Sequence, residues 1–305
     1  MSRVALIGGS GVLGRHVLRI LVTAGLQVRL LTRSEVGILA SDDRVESVVG
    51  DVLDRESLSP LLRGCDAAVH VATALRIEDG ASRPDWARND AVRIRGTTNL
   101  IDACAREGVG RLVAQSVAFV ASPSRDAWSA GTEPLAPLGF LRSASVMEQL
   151  LRSAPFACAV LRGGLFYGEG TGVQAEWESA ASARAFNLPR SPLDFVSLIH
   201  VEDMARAVVA ALTSRLDGCY PVVDDEPVRW QDLFSGLAAE CGAPPPAHGD
   251  WDSLPSFRVS NRATRLGLGW QPRFRSYRDG WRTRRPLDSA LGGRRVQTEE
   301  DIPNE

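Results

Sequence analysis

Three glycines lie close together near the start of the chain, in the segment GGSGVLG. Gly8, Gly11 and Gly14 follow the apolar run VALI and precede a helix-period segment over about residues 12–24. Glycines between a strand and a helix let the backbone approach a pyrophosphate closely, and the free N–H groups at the helix N-terminus can bind it. We therefore predict a dinucleotide-binding loop made of Gly8, Gly11, Val12, Leu13 and Gly14.

The end of the second apolar run, LLTRS, indicates which dinucleotide is bound. Sheets that bind NAD usually have a carboxylate about 20 residues after the glycine loop, where it contacts the ribose. This chain has no carboxylate there; it has Thr32 and Arg33. A guanidinium suits the 2′-phosphate of NADP. We predict NADP as the preferred cofactor, with NAD as the alternative.

The elements that must position this loop follow from the hydrophobic pattern. Apolar runs predict strands at 4–8, 28–32, 45–50, 66–72, 111–117 and 156–162, and helix-period segments separate several of them, at 12–24, 88–107 and 140–152. The runs are continuous rather than alternating, which is typical of strands buried on both faces. The predicted fold class is α/β, a Rossmann-type doubly wound parallel sheet with a small C-terminal substrate-binding domain.

The pattern changes after residue 163, which suggests a division into domains. Helices are predicted at 201–214 and 230–242, with a strand at 218–223 between them. We predict that residues 1–163 plus about 196–224 form the dinucleotide-binding Rossmann domain. About 164–195 plus 225–285 would form the small substrate-binding domain or lid, and 286–305 a disordered tail.

Composition excludes several functional classes. The 305 residues carry a net charge of -2, which favours neither nucleic acid nor an anionic membrane surface as a partner. No apolar run reaches the ~20 residues of a membrane span, and MSRVALIGGSG leaves no room for a signal peptide, so we expect a cytoplasmic protein. The five cysteines form no CxxC pair, so no metal site is predicted. Lysine is absent from the whole sequence.

Seven segments carry a resemblance to a known family; they are GGSGVLG, GDVLD (50–54), CDAAVHVAT (65–73), RGTTNLIDACAREGVGRLV (95–113), VLRGGLFYG (160–168), LIHVEDMARAV (198–208) and RVSNRATRLGLGWQP (258–272). Together they resemble the extended short-chain dehydrogenase/reductase family, in its epimerase/dehydratase-like and atypical branches, over nearly all of residues 3–281. The resemblance implies that Ser116 holds the position of the active-site serine or threonine. It also implies cofactor contacts from Asp51, Val52, Val71, Ala72, Thr73, Ser116, Arg162 and Gly163.

The sequence departs from the family pattern at its catalytic positions. The usual tyrosine and lysine, four residues apart, are Phe140 and Ala144, and Glu148 fixes this register. In the family the tyrosine exchanges a proton with the substrate oxygen, and the lysine lowers the tyrosine pKa and holds the ribose. Two further departures are Arg93 for an asparagine and Gly163 for a proline.

Three interpretations of these departures remain open. The first is a reductase whose acceptor makes little demand on a protein acid, such as an iminium, an activated enone or an activated carbonyl. Ser116, Ser143 and Tyr167 are then the candidate catalytic proton donors, although Tyr167 also suits a packed loop aromatic. The apolar helix face around Phe140 predicts a hydrophobic substrate, and the arginine-only, Gly- and Ala-rich composition suggests that this substrate is a specialised-metabolite intermediate.

The other two interpretations involve no net hydride transfer to a substrate. One is redox-neutral chemistry on the same fold, as in a cyclase, a dehydratase or an epimerase. The other is a non-catalytic NADP-responsive regulatory or binding protein. In every case the predicted partner is a small molecule, and the protein is expected to be a monomer or a homodimer.

Overall fold

The computed structural model describes residues 1–33, 42–78, 81–121, 123, 126–131, 133–214 and 216–281. The predicted tail, 286–305, lies outside these residues. Fifteen strands occur in the described part; they are Arg3–Ile7 (β1), Gln27–Thr32 (β2), Val45–Val49 (β3), Ala67–His70 (β4), Leu75–Glu78 (β5), Ala81–Pro84 (β6), Arg111–Val117 (β7), Ala157–Gly163 (β8), Leu165–Tyr167 (β9), Asn187–Leu188 (β10), Phe195–Val196 (β11), Leu198–His200 (β12), Gly218–Val222 (β13), Val228–Arg229 (β14) and Ala247–His248 (β15).

Seven of these strands form one parallel sheet in the order β3–β2–β1–β4–β7–β8–β13. The order runs outward from β1 in both directions, so the strand order reverses between β1 and β4. In such sheets ligands bind at the carboxyl ends of the strands beside this reversal. The topology confirms the predicted Rossmann-type sheet.

Helices connect the strands of the sheet and cover it; they are Val12–Thr23 (α1), Leu58–Leu62 (α2), Trp86–Ala91 (α3), Thr97–Glu107 (α4), Arg142–Arg152 (α5), Gly172–Ser182 (α6), Val201–Thr213 (α7), Trp230–Glu240 (α8), Arg262–Leu268 (α9) and Tyr277–Gly280 (α10). Two 3₁₀ turns, Ala118–Val120 and Gly139–Leu141, follow β7 and precede α5. Asp85 caps α3 by accepting a hydrogen bond from the Arg88 N–H, and α4 ends at Gly108, whose φ is 71°.

The two faces of the sheet are buried in separate apolar layers. In β1, alternation directs Leu6 into the layer under α1 and α7 and Ile7 into the layer under α2, α4 and α5. Both side chains are buried. Burial on both faces is the reason that the strands read as continuous apolar runs.

One predicted helix differs from the structure. The hydrophobic pattern predicts a single helix over residues 88–107, but in the structure α3 and α4 are separated by a π-helical turn over Val92–Gly96. Such a turn adds a residue to one helical cycle and rotates the side chains that follow it. A helix-period pattern contains no signal for this insertion.

A further apolar cluster lies in the C-terminal half of the chain. Its buried aromatic members are Tyr167, Trp177, Phe186, Trp230, Phe234, Tyr277 and Trp281. The short strand pairs β9/β12, β10/β15 and β11/β14 border this cluster. The predicted division into two domains stays a prediction.

Candidate active site

The glycine loop between β1 and α1 leaves room for a ligand against the backbone. Gly8 has a φ of 93°, and a Cβ there would overlap the backbone of Ala72. No side chain caps α1 at Gly11, so its first-turn N–H groups are available to a phosphate. A Cβ on Gly14 would overlap the Gly8 carbonyl, so that glycine is needed for close packing of the loop on the helix. These features fit a dinucleotide pyrophosphate.

A cavity of about 880 Å³ extends from this loop. Most of the predicted cofactor residues line it; they are Gly8, Gly11, Val12, Leu13, Arg33, Asp51, Val52, Val71, Ala72 and Thr73. Gly14 and Thr32 do not. Thr32 does not line the cavity because side chains alternate along β2. Leu31 and Arg33 face the cavity, and Thr32, between them, is buried on the other side.

Asp51 and Arg88 form an ion pair in the cavity wall. The Arg88 guanidinium donates to the Asp51 carboxylate at 2.5 Å, and about a third of each side chain is exposed. Partial burial acts to raise the Asp51 pKa, but hydrogen bonds from the Leu53 N–H and from Arg88 outweigh it, so the pKa lies below its usual range. Asp51 is therefore ionised at neutral pH. No local pattern in the sequence indicates this long-range pairing.

The structure places Ser116, predicted to be a catalytic and cofactor-binding residue, outside the cavity wall. Its neighbours Gln115 and Val117 line the cavity, whereas Ser116 faces the other side of β7 and is 2% exposed. Its hydroxyl donates to Glu148 at 2.6 Å. Successive side chains of a strand point to opposite faces, so Ser116 points away from the cavity. The same alternation, applied to the segment AQSVAFV, predicts Gln115 and Val117 as the residues that line the cavity.

Arg162 and Gly163, also predicted to contact the cofactor, lie outside the cavity wall. Arg162 pairs with Glu148 at 2.6 Å and also donates to the Gly131 carbonyl; the exposed fractions of the two charged side chains are 2% and 0%. A Cβ on Gly163 would overlap the Phe166 ring. Ser116, Glu148 and Arg162 thus form a buried network of hydrogen bonds that joins α5 to the sheet.

The other two predicted proton donors are also absent from the cavity walls. Tyr167 is fully buried and its hydroxyl donates to the Ser276 carbonyl at 3.1 Å. Burial raises the Tyr167 pKa far above its usual value, and a weaker acid is a poorer proton donor. Ser143 is buried beside Arg93, which donates to its hydroxyl at 3.3 Å. Neither residue lines the cavity.

Phe140 lies where this cavity meets a second one of about 770 Å³. Its ring centroid is 5.3 Å from that of Trp86, which lines the first cavity only. Phe140, Leu165, Val173 and Leu254 are common to both walls. The second cavity is largely aromatic; its rings are those of Phe140, Trp177, Phe186, Trp230, Phe234 and Trp251. The combined space suits an aromatic or otherwise apolar ligand.

The walls contain few groups that exchange protons near neutral pH. Among the described lining residues there is no tyrosine, histidine, cysteine or lysine. Carboxylates are contributed by Asp51 in the first cavity and by Glu176 and Asp252 in the second. The arginines of the first cavity are Arg15, Arg33, Arg88 and Arg93. In the described residues no cluster of metal-ligating side chains occurs, and no helix is long and apolar enough to cross a membrane.

A family model described as NAD(P)H-binding matches residues 8–215. The chain belongs to this family. A 3-diazoavenalumate denitrifying reductase from a Streptomyces species is 33% identical to it over 307 residues, which cover 91% of this chain and 98% of the relative. A ceramide reductase from Caulobacter vibrioides is 27% identical over 248 residues, covering 79% of this chain and 71% of the relative.

Solved structures share the fold. The UDP-glucose 4-epimerase of Thermotoga maritima has a TM-score of 0.78 at 17% identity, covering 92% of this chain and 96% of that one. The Thermus thermophilus UDP-glucose 4-epimerase in complex with NAD has a TM-score of 0.75 at 23% identity, with the same coverage. The family model and the shared fold confirm the predicted resemblance to the epimerase/dehydratase-like short-chain dehydrogenase/reductase family. The chain is an NAD(P)H-binding protein with the fold of these epimerases, and it is similar in sequence to a reductase.

Proposed function

We propose that the protein is an NADPH-dependent reductase whose acceptor needs no proton from a protein acid. The observation that carries the proposal is the composition of the cavity walls beside Phe140. Val117, Phe140, Leu141 and Phe166 are apolar, and none of the three tyrosines lines either of the two cavities. An acceptor that develops an alkoxide would find no proton donor of the usual kind there. An acceptor that is already cationic would not need one.

The cofactor would be held by the glycine loop and by Arg33. The loop and the N-terminus of α1 offer backbone N–H groups to the pyrophosphate. Arg33 lines the cavity at the end of β2, where its exposed guanidinium can bind the 2′-phosphate of NADP. Asp51 faces the same cavity but is already paired with Arg88. When bound, the cofactor supplies a hydride.

Two acceptor classes are cationic and meet the requirement directly, an aryl diazonium and an iminium; an activated enone would leave an enolate that solvent has to protonate. The 33% identical relative supports the first, because its name is that of a denitrifying reductase of a diazo compound. For an aryl diazonium, addition of one hydride and loss of N₂ give the arene, so atoms and electrons balance without a proton. The aromatic walls of the two cavities would orient such a substrate and exclude water.

Oxidation of NADPH with matched acceptors tests the proposal. Benzenediazonium, a cyclic aryl iminium and acetophenone would be compared, with the nicotinamide absorbance as readout. Deuterium from [4-²H]NADPH should appear on the reduced carbon of the first two products. The expected result is turnover with the charged acceptors at rates at least about 100-fold above that with the neutral ketone. Tight NADPH binding without turnover of any charged acceptor would refute the proposal.

Uncatalysed reduction of reactive acceptors is the main confounding reaction. Each rate is therefore measured also without protein and with Gly14→Ala, whose added Cβ would overlap the Gly8 carbonyl. Gly139→Ala is the matched control, because a Cβ at that position meets nothing within 4 Å. Turnover that persists undiminished in Gly14→Ala would show that the reaction does not use the proposed cofactor site.

A further inference from the structure

Arg93 is a buried cation in the wall of the first cavity. It lies in the π-helical turn Val92–Gly96, and only 7% of its surface is exposed. Turns of this kind recur at functional sites because they redirect side chains that a regular helix would direct elsewhere. The exposed Arg95 lies on the same turn, and it does not line the cavity. The turn therefore provides one arginine for the cavity and one for the solvent.

The Arg93 guanidinium has little to neutralise it. Its hydrogen-bond partner is the neutral Ser143 hydroxyl, at 3.3 Å, and in the described part of the chain no carboxylate lies within ion-pair distance of it. Burial lowers the Arg93 pKa, and the charge of Asp90 offsets part of that effect. The group still remains charged, as arginines do in proteins. Buried Arg162, by contrast, has the Glu148 carboxylate.

An unpaired buried charge is costly unless a ligand neutralises it. A guanidinium has five N–H donors in a planar fork that matches a carboxylate, and the contact with Ser143 leaves most of them free. Of the three other cavity arginines, Arg88 is paired with Asp51, and Arg15 and Arg33 are exposed. Arg93 is thus the buried arginine of this cavity whose charge a bound anion would neutralise.

The position of Arg93 indicates the acceptor rather than the cofactor phosphates as the source of that anion. Its contact, Ser143, belongs to α5, next to Ala144 and one helical turn from Phe140. Phe140 and Trp86 place two aromatic rings in the same wall, with centroids 5.3 Å apart. The glycine loop and the first turn of α1, which fit the pyrophosphate, are contributed by a different part of the chain.

We propose that Arg93 binds the carboxylate of an aromatic substrate and so selects aromatic acids over their neutral analogues. This inference rests on the proposed function, because it names the substrate class for the same acceptor site. A charge-assisted, bidentate contact in a buried wall changes the dissociation constant by about 10- to 100-fold. Trp86 and Phe140 would contact the substrate ring, while Arg93 holds its anionic end.

The test measures binding without turnover. Cinnamate and cinnamamide have the same shape and differ in charge, and each is titrated calorimetrically into the NADP-loaded full-length protein. The wild type and Arg95→Gln should bind cinnamate about 10- to 100-fold more tightly than cinnamamide. Arg93→Gln should remove this preference and leave the affinities for cinnamamide and NADPH unchanged. Arg95→Gln is the matched control, since it removes an exposed charge from the same turn.

A second variant keeps the inference testable if Arg93→Gln does not fold. Ser143→Asp places a carboxylate beside the guanidinium, at the position of the present hydroxyl contact. The new carboxylate should neutralise the Arg93 charge without a ligand and so also abolish the preference for cinnamate. A preference that survives in either folded variant would overturn the proposal. So would a wild type without preference, or an Arg93→Gln variant that loses affinity for NADPH instead.

These outcomes separate the two proposals. A cinnamate preference that depends on Arg93, in a protein that oxidises NADPH with no charged acceptor, would refute the proposed function and leave the role of Arg93 intact. Turnover of charged acceptors together with equal binding of cinnamate and cinnamamide would do the reverse.

Discussion

Replacing Glu148 by glutamine should destabilise the fold strongly while leaving the cofactor site intact. The substitution leaves the Arg162 charge buried without a counter-ion, and the two side chains are 0% and 2% exposed. Three hydrogen bonds from Arg162 and one from Ser116 reach the Glu148 carboxylate. Removing one partner of a buried pair typically costs about 3–5 kcal/mol. We expect a loss of that size in the free energy of unfolding.

The exposed pair of Arg190 and Asp252 provides the control. Its atoms are 2.8 Å apart, but its side chains are 57% and 79% exposed, so Asp252→Asn should cost at most about 1 kcal/mol. Urea unfolding followed by circular dichroism measures both variants. With a slope of about 3 kcal/mol/M, the Glu148→Gln midpoint should fall by about 1 M or more. Equal small shifts in the two variants would contradict the assignment, as would a large loss of NADPH affinity in folded Glu148→Gln.

Three further predictions concern the cofactor site and the proton donors. Arg33→Ala should weaken the binding of NADPH by about 10- to 100-fold and that of NADH by less than about threefold in fluorescence titrations, because a guanidinium pairs with the 2′-phosphate that only NADPH carries. Equal losses of affinity for the two cofactors would remove the basis for the NADP preference. Tyr167→Phe should change kcat by less than about twofold, since the buried hydroxyl faces a backbone carbonyl rather than the cavity; a loss of about 100-fold or more would restore it as a proton donor. Gly14→Ala should abolish measurable NADPH binding while Gly139→Ala preserves it, and equal affinity in the two variants would argue against the glycine loop as the pyrophosphate site.

The arrangement of the sheet could be predicted because its physical signal is local and strong. Strand β7 has the predicted bounds, 111–117, and β2 and β8 differ from the predictions by one residue at their ends. Continuous apolar runs bounded by glycine and helix-period segments identify buried parallel strands. The glycine loop was equally predictable, because backbone geometry alone requires glycine at its close approaches.

The directions of side chains and the pairing of residues distant in the sequence were harder to predict from the sequence. The family resemblance predicts Ser116 as an active-site residue, whereas the alternation of side chains along β7 points Gln115 and Val117 towards the cavity. The contact between Asp51 and Arg88 joins residues 37 positions apart, and no local pattern encodes it. The π-helical turn before α4 gives Arg93 its place in the wall, and the helix-period pattern is silent about it. These residues became visible only with the three-dimensional arrangement.

The pH dependence of single-turnover hydride transfer distinguishes a reductase that works without a protein acid from one that uses such an acid. In the described cavity walls no histidine, cysteine, tyrosine or lysine is present to titrate, the Asp51 pKa is depressed so that this carboxylate stays ionised, and the arginines stay cationic. The rate with an N-alkylated aryl iminium, whose charge does not titrate, should therefore vary by less than about twofold between about pH 6 and about pH 8, and should be unchanged in D₂O. A rate that changes about tenfold across this range, or falls more than about twofold in D₂O, would contradict a reductase that works without a protein acid.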